Sequence, residues 1–466
     1  MKNFFFFQGL NVLISDRKGD EKMSKKGIFL SVLAFVAASF LLSSGGYSAA
    51  DNPAMSYMLI FQYADLPEGL GQQIALANGE MTAGIKQIGV AVASSSDPKF
   101  IDKASKIRGI QSVVPDPLVQ WISPEPIVEE MTDGCYDDPY GDPQFFIQWA
   151  LPMIHAPEAW DLGARGEGVK VFVLDSGIDS TNKDLQTNLL PDLCKSFVPS
   201  EPNWDVSEGI IFNHGTHVAG IIAAAQNDWG IIGVAPKANL VAVKVLSENT
   251  GAGKLSYLNA GIVYAADNGA NVINMSLGAY LPRSGYWAGN VHVTAKMVGE
   301  QLHATQRAIT YAYQKGATIV AAAGNDAIDA DHDQNQVIIP AQMAHVIAVS
   351  ATAETPPGFP EEPWYDEWLR IGTNYGQSLV SFAAPGDNIY SDLNKNKLFY
   401  WDGTSQAAAH VSGVAALIIG QNGGPLHPAQ VNAILIQSAD DIGKPGKDDY
   451  FGMGRVNAYK AVLYSK

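Results

Sequence analysis

Cysteine is nearly absent: the 466 residues include only Cys135 and Cys194. Two thiols cannot build a disulfide framework. Neither sits beside His or Asp in a spacing that would make a zinc site or a thiol nucleophile. In an oxidising compartment they could form one bridge, tying the segment near Cys135 to that near Cys194, or stay free. Positive charge is also scarce. Thirty Lys and Arg face 47 Asp and Glu, for a net charge of −17. So acidic a chain lacks the basic surface that phosphates require, which excludes nucleic acid as a partner. The one long apolar run, residues 28–42, is too short for a comfortable membrane span. No HExxH zinc motif occurs, and there are no internal repeats.

What is present reads as globular and multidomain. Hydrophobic residues make up 47% and charged residues 17% of a chain long enough for two or more domains. Lys25 and Lys26, the apolar run and the small residues up to Ser48-Ala49-Ala50 have the order of a secretory signal, with Met23 as an alternative start. An uncleaved N-terminal anchor is the competing reading. A secreted product without stable membrane association is the expectation. Residues 57–120 then read as a small α+β unit, with strands in SYMLIFQY, IGVAVAS and IQSVVPDPLVQWI. A helix is expected in DPKFIDKASKI, where Phe100, Ala104 and Ile107 share a face. Residues 123–135 are rich in proline and acid and form an exposed linker open to cleavage. Beyond it, short apolar runs (GVKVFVLD, LVAVKVL, NVINMSLG, ATIVAAAGN, HVIAVSAT) alternate with helical stretches, the pattern of an α/β fold with a mostly parallel sheet. In such sheets ligands sit at the carboxyl ends of strands, where Asp175, Ser276 and Asn325 fall.

Three motifs carry the chemistry. VFVLDSGID places Asp175 at a strand end, NHGTHVAG carries His214 and His217, and GTSQAAAHVSG carries Ser405 where a glycine-led turn enters a small-residue helix. A serine hydroxyl needs a base to take its proton, and an imidazole base needs a carboxylate to fix its tautomer. A helix N-terminus at Ser405 would offer a backbone N–H to a developing oxyanion. The chain order Asp, His, Ser is one of three in which unrelated folds reach this set.

With these motifs in this order, the sequence resembles the subtilisin-like serine proteases (subtilases, peptidase S8) over residues 136–466. Roughly residues 56–122 resemble the family's inhibitory I9-type propeptide, which is expected to span residues 51–122. The resemblance implies a three-layer α/β peptidase domain preceded by a small α+β prodomain, with residues 1–50 as signal region and maturation cleavage in the linker. It implies a monomeric endopeptidase acting on proteins and peptides, held inactive by its own prodomain. Asp175, His214 and Ser405 are then the triad, and Asn325 the second oxyanion donor. His217 becomes a structural partner. Gly251 and Gly253 match one substrate-pairing edge and Ser276, Leu277 and Gly278 the other. Leu255 falls at a more distant, apolar and somewhat open pocket. No acidic cluster stands out at the pocket wall, so a large apolar residue before the scissile bond is expected. A structural calcium is implied at Asp138, Asp184 and Asn227 with the carbonyls of Ala225, Trp229 and Ile231, all hard oxygen donors. Two positions depart from the family: Gln406 replaces a methionine and Ala409 a proline. Residues 279–305 and 355–372 look inserted and are expected to be surface loops. A processing convertase cutting after basic residues, and a catalytically silent peptide binder, are the alternatives.

Overall fold

The computed structural model describes residues 54–122, 141–206, 213–353, 368–369 and 372–466. The signal region, the linker with Cys135, Asp138 and most of residues 355–372 lie outside the described residues.

The N-terminal unit contains β1 (Met55–Phe61), α1 (Leu70–Leu76), β2 (Glu80–Ile85), β3 (Val90–Ser95), α2 (Phe100–Ala104), β4 (Ile110–Pro115) and β5 (Leu118–Gln120). Its antiparallel sheet has the order β2-β3-β1-β4. Phe100 and Ala104 are buried on α2, as the helical spacing predicts, but the helix ends at Ala104, and Ile107 reaches the same cluster from the turn beyond it. The expected last strand divides in two at Asp116-Pro117: β4 ends on the bond from the Asp116 N–H to the Ser56 carbonyl, and β5 then pairs with a different strand.

In the larger unit, two short helices (Ala150–Met153 and Ala156–Asp161) precede β6 (Lys170–Asp175), β7 (Lys195–Ser196), α3 (His214–Ala223), β8 (Asn239–Lys244), β9 (Ala252–Lys254), α4 (Leu255–Asp267) and β10 (Val272–Met275). Then follow β11 (Ala279–Pro282), β12 (Gly285–Ala288), β13 (Val291–Thr294), α5 (Ala295–Gln314), β14 (Thr318–Ala322), β15 (Gln336–Ile339) and β16 (Val346–Ala353). The chain continues through β17 (Trp368–Leu369), β18 (Phe382–Pro385), β19 (Ile389–Asp392), β20 (Leu398–Trp401) and α6 (Thr404–Gln421). The main sheet runs β17-β16-β14-β10-β6-β8-β7, with β18 also on β16, and only β17 is antiparallel.

Alternation along each strand builds three layers. Val171 and Val173 join one apolar cluster with α3 and α6, while Phe172 and Leu174 join another with α4 and α5. Helix α6 is buried from Thr404 to Ile419, as a helix apolar all round must be.

Residues 279–305 are not a surface loop. They form β11 on β15, the β12–β13 hairpin and the first half of α5. Val293, Val298, Gln301, Ala304 and Thr305 are buried there. The Thr294 hydroxyl accepts the Met297 N–H and starts the helix.

Candidate active site

Asp175 ends β6 and His214 begins α3, and both are buried. His214 Nδ1 lies 2.9 Å from Asp175 Oδ2 and 3.0 Å from Oδ1. The Ser176 N–H donates to Oδ1 at 2.7 Å, fixing the carboxylate. This places the proton on Nδ1 and leaves Nε2 as the accepting nitrogen. Close approach explains the glycine of the HG pair: a Cβ on Gly215 would lie 2.2 Å from the Gly177 carbonyl oxygen. Trp401 stands edge-on to His214 at 5.3 Å between ring centroids, and to His217 at 5.6 Å.

Ser405 lies in the first turn of α6. Its Oγ donates to the Ser276 carbonyl at 3.0 Å, and Ser276 Oγ donates back to the Ser405 carbonyl at 2.7 Å. Asn325 Oδ1 accepts from the Thr404 N–H at 3.0 Å and from Thr404 Oγ1 at 3.1 Å. With the oxygen so engaged, the Asn325 amide nitrogen is the end left for a ligand. Gly403 makes room for it: a Cβ there would lie 3.3 Å from Asn325 Nδ2. His214, Asn325 and Ser405 line one cleft of about 290 Å³.

Residues 118–122 of the N-terminal unit run through this cleft. Strand β5 pairs antiparallel with β9, Val119 opposite Gly253 and Gln120 opposite Ala252. The Trp121 N–H donates to the Gly251 carbonyl at 3.3 Å, and its indole donates to the Gly253 carbonyl at 3.1 Å. From the other edge, the Gly278 N–H donates to the Trp121 carbonyl at 3.1 Å. Trp121 and Ile122 line the same cleft as Ser405. Leu255 departs from expectation: it is buried in the apolar cluster that holds Trp121, and its pocket is not open.

A model of the subtilase family matches residues 166–454. This chain is a subtilase. It is similar to thermitase of Thermoactinomyces vulgaris, 36% identical over 70% of this chain and 99% of that protein. It is 32% identical to a thermophilic serine proteinase of Bacillus sp. (strain AK1), covering 83% of this chain and 84% of the relative. Subtilisin E of Bacillus subtilis (strain 168) is 33% identical over 78% of this chain and 81% of that protein. The fold matches the epidermin leader peptide processing serine protease of Staphylococcus aureus, with a TM-score of 0.69, 23% identity and coverage of 88% of this chain and 99% of that one. The subtilase is accordingly a serine-type endopeptidase.

The subtilase also carries groups near the cleft that motif reading overlooked. Asp326 (next to Asn325), Asp402 and Tyr280 line the cleft, so its wall carries two acids. Burial, then Asp326, pushes the Tyr280 phenol up. The signal for Asp326 was simple adjacency to the motif. Thr404 and Trp401, which orient Asn325 and His214, sit beside motifs without a pattern of their own. Gln406 is wholly buried, its Nε2 3.5 Å from His217 Nδ1. His217 Nε2 lies 3.1 Å from the Phe399 carbonyl, and burial pushes its pKa down to about 3. His217 is therefore neutral and structural.

Of the expected calcium ligands, Asp184 is buried and its Oδ2 accepts the Ile231 N–H at 3.0 Å. Its Oδ1 is buried without a hydrogen-bond partner. Burial first, then the buried carboxylate of Asp392, pushes the Asp184 carboxyl up. Asn227 Oδ1 accepts the Trp229 N–H at 3.1 Å on the same loop. Asp142, which the sequence reading did not name, accepts the N–H groups of Asn227 at 3.0 Å and Trp229 at 3.2 Å. Among the described residues no three acidic, His or Cys side chains form a ready metal cage. The unpartnered Asp184 oxygen beside a second acid is nonetheless what a hard cation on an all-oxygen donor set would relieve. Cys194 is a free thiol, accepting the Ala242 N–H at 3.2 Å. Burial pushes its pKa up to about 12. No helix of the described residues is long and apolar enough to cross a membrane.

Proposed function

We propose that this subtilase is exported as a precursor and hydrolyses extended protein substrates through Asp175, His214 and Ser405. Ser405 Oγ attacks the scissile carbonyl carbon while His214 Nε2 takes its proton and then delivers it to the leaving amine. Asp175 holds the imidazole and stabilises its cation. The Asn325 amide and the Ser405 N–H receive the oxyanion, and water hydrolyses the acyl-enzyme with His214 again as base. The observation that carries this reading is the buried Asp175–His214 pair sharing a cleft with Ser405 and Asn325.

Substrate binds by strand addition between Gly251–Gly253 and Ser276–Gly278, with main-chain bonds for affinity and pockets for preference. Residues 118–122 occupy that place, which supports 51–122 as an inhibitory propeptide cut away within 123–135. An apolar residue before the scissile bond is the favoured preference, in keeping with Ile122 at the cleft. Asp326 and Asp402 at the wall are the features favouring cleavage after basic residues. Asp184, Asn227 and the carbonyls of Ala225, Trp229 and Ile231, with Asp138, would hold a calcium ion. Bound there, calcium supplies only charge neutralisation and a clamp on the 225–231 loop.

Casein hydrolysis by the wild-type protein and Ser405→Ala, with and without a chelator, tests the proposal. The mutant is inactive, and chelation lowers heat resistance before it lowers turnover. A fully active mutant would overturn the triad, and heat resistance indifferent to chelator would overturn the calcium site.

A further inference from the structure

Behind the cleft lies a wholly buried amide that belongs to none of the catalytic motifs. Asn374 precedes β18, and its side chain fills every hydrogen-bonding position it has. Nδ2 donates to the Ala323 carbonyl at 2.9 Å and to the Tyr280 hydroxyl at 3.1 Å. Oδ1 accepts the Asp326 N–H at 3.0 Å and the Ile328 N–H at 2.9 Å. The Asn374 N–H donates to the Gly324 carbonyl at 2.9 Å. Backbone groups on both sides of Asn325 therefore converge on this one residue.

The turn they belong to needs holding. Ala327 has a φ of 52°, in the left-handed region that a residue with a Cβ avoids. Such a conformation persists only where its surroundings over-determine it. Here the two N–H groups bound by Asn374 Oδ1 flank Ala327, and the Ala327 N–H donates to the Gly372 carbonyl at 2.7 Å. The fit under the turn is close. A Cβ on Gly324, whose φ is 101°, would lie 2.2 Å from Asn374 Nδ2 and 2.6 Å from the Tyr280 hydroxyl. Tyr280 stands on β11, two residues past Gly278, so its phenol ties the turn to the 276–278 edge.

We propose that Asn374, braced by Tyr280, is a positioning residue for the oxyanion site. It fixes the backbone from which Asn325 projects, as Thr404 fixes the Asn325 side chain. The inference rests on the reading of Asn325 as an oxyanion donor. Asn374 is not among the residues lining the cleft, so its effect on turnover runs through Asn325. A displacement of about 1 Å at a reacting centre costs on the order of 100-fold, and the whole donor is worth roughly 100- to 1,000-fold. Loss of the clamp is therefore expected to lower kcat about 10- to 100-fold, with KM within about three-fold.

A double-mutant cycle tests this. For the mature enzyme, kcat and KM on a peptide anilide are measured for wild type, Asn374→Ala, Asn325→Leu and the double variant, with the folded fraction checked by thermal melting. Asn374→Ala alone loses about 10- to 100-fold in kcat. On the Asn325→Leu background no donor is left to aim, and the same change costs less than about three-fold. Tyr280→Phe removes only the hydroxyl; it loses a few-fold alone and nothing further beside Asn325→Leu. If Asn374→Ala does not fold, the Tyr280→Phe cycle decides. Equal losses on both backgrounds overturn the positioning role and leave Asn325 as donor, as does wild-type kcat in both Asn374→Ala and Tyr280→Phe. Wild-type kcat in Asn325→Leu overturns donor and positioning role together.

Discussion

Replacing Asn325 by Leu keeps the side chain's size and removes its amide. In the structure the Asn325 oxygen is committed to Thr404 through two bonds of 3.0 and 3.1 Å, so the nitrogen is the end left for the oxyanion of the proposed mechanism. One such donor is worth about 2.7–4 kcal/mol, a roughly 100- to 1,000-fold loss of turnover. The donor acts where charge develops in the transition state, so KM should stay within about three-fold. Thr404 supplies an internal check. Its Oγ1 donates to Asn325 and accepts the Gly324 N–H at 3.0 Å. Thr404→Val removes one of the two bonds that aim the amide, for roughly a 3- to 10-fold loss of kcat at the typical worth of a single hydrogen bond. The assay is steady-state hydrolysis of a peptide anilide, with active enzyme counted by fluorophosphonate labelling of Ser405. Asn325→Leu turnover within three-fold of wild type, or a loss confined to KM, would refute the oxyanion role.

Three further outcomes are expected. Burial holds His217 near pKa 3 and His410 near pKa 4, against about 6.5 in the unfolded chain. The unfolded chain takes up these protons first, so the stability they confer is complete above pH 6.5 and is lost as pH falls toward 4 and then 3. The loss is on the order of 5 and 3 kcal/mol at the acid limit. The Tm of the Ser405→Ala protein should fall steeply between pH 6.5 and 4, and a flat profile would count against the buried neutral imidazoles. With Gln406 in place of an oxidisable thioether beside Ser405, activity should survive mild peroxide, and Gln406→Met should make it sensitive. Equal inactivation of the two would dismiss that account. Asp326→Asn should lower kcat/KM for a peptide with Arg before the scissile bond while sparing one with Phe, and an unchanged Arg-to-Phe ratio would remove Asp326 from the specificity wall.

The peptidase core was legible because its information is local. A buried parallel strand reads as a short apolar run, and the residue at its end or just past it, such as Asp175 or Ser276, is carried to the carboxyl edge whatever the rest of the chain does. Residues 279–305 were illegible for the opposite reason. Their glycines and aromatics resemble loop composition, yet Val293 and Val298 find their apolar partners at Met58, Ile60 and Val114, more than 170 positions upstream. Strand β2 escaped notice because an edge strand with mostly exposed residues shows no apolar alternation. Asp392 is illegible in a third way. Nothing in IYSDLNKNK marks an acid as buried, and only the turn that brings it against Asn182 and Asp184 gives it meaning. The same logic separates two kinds of functional residue. Groups that react are written into motifs because the turn and the side chain must be specified together. Groups that aim them, as Thr404 aims Asn325, need only the right neighbour in space, so the fold alone reveals them.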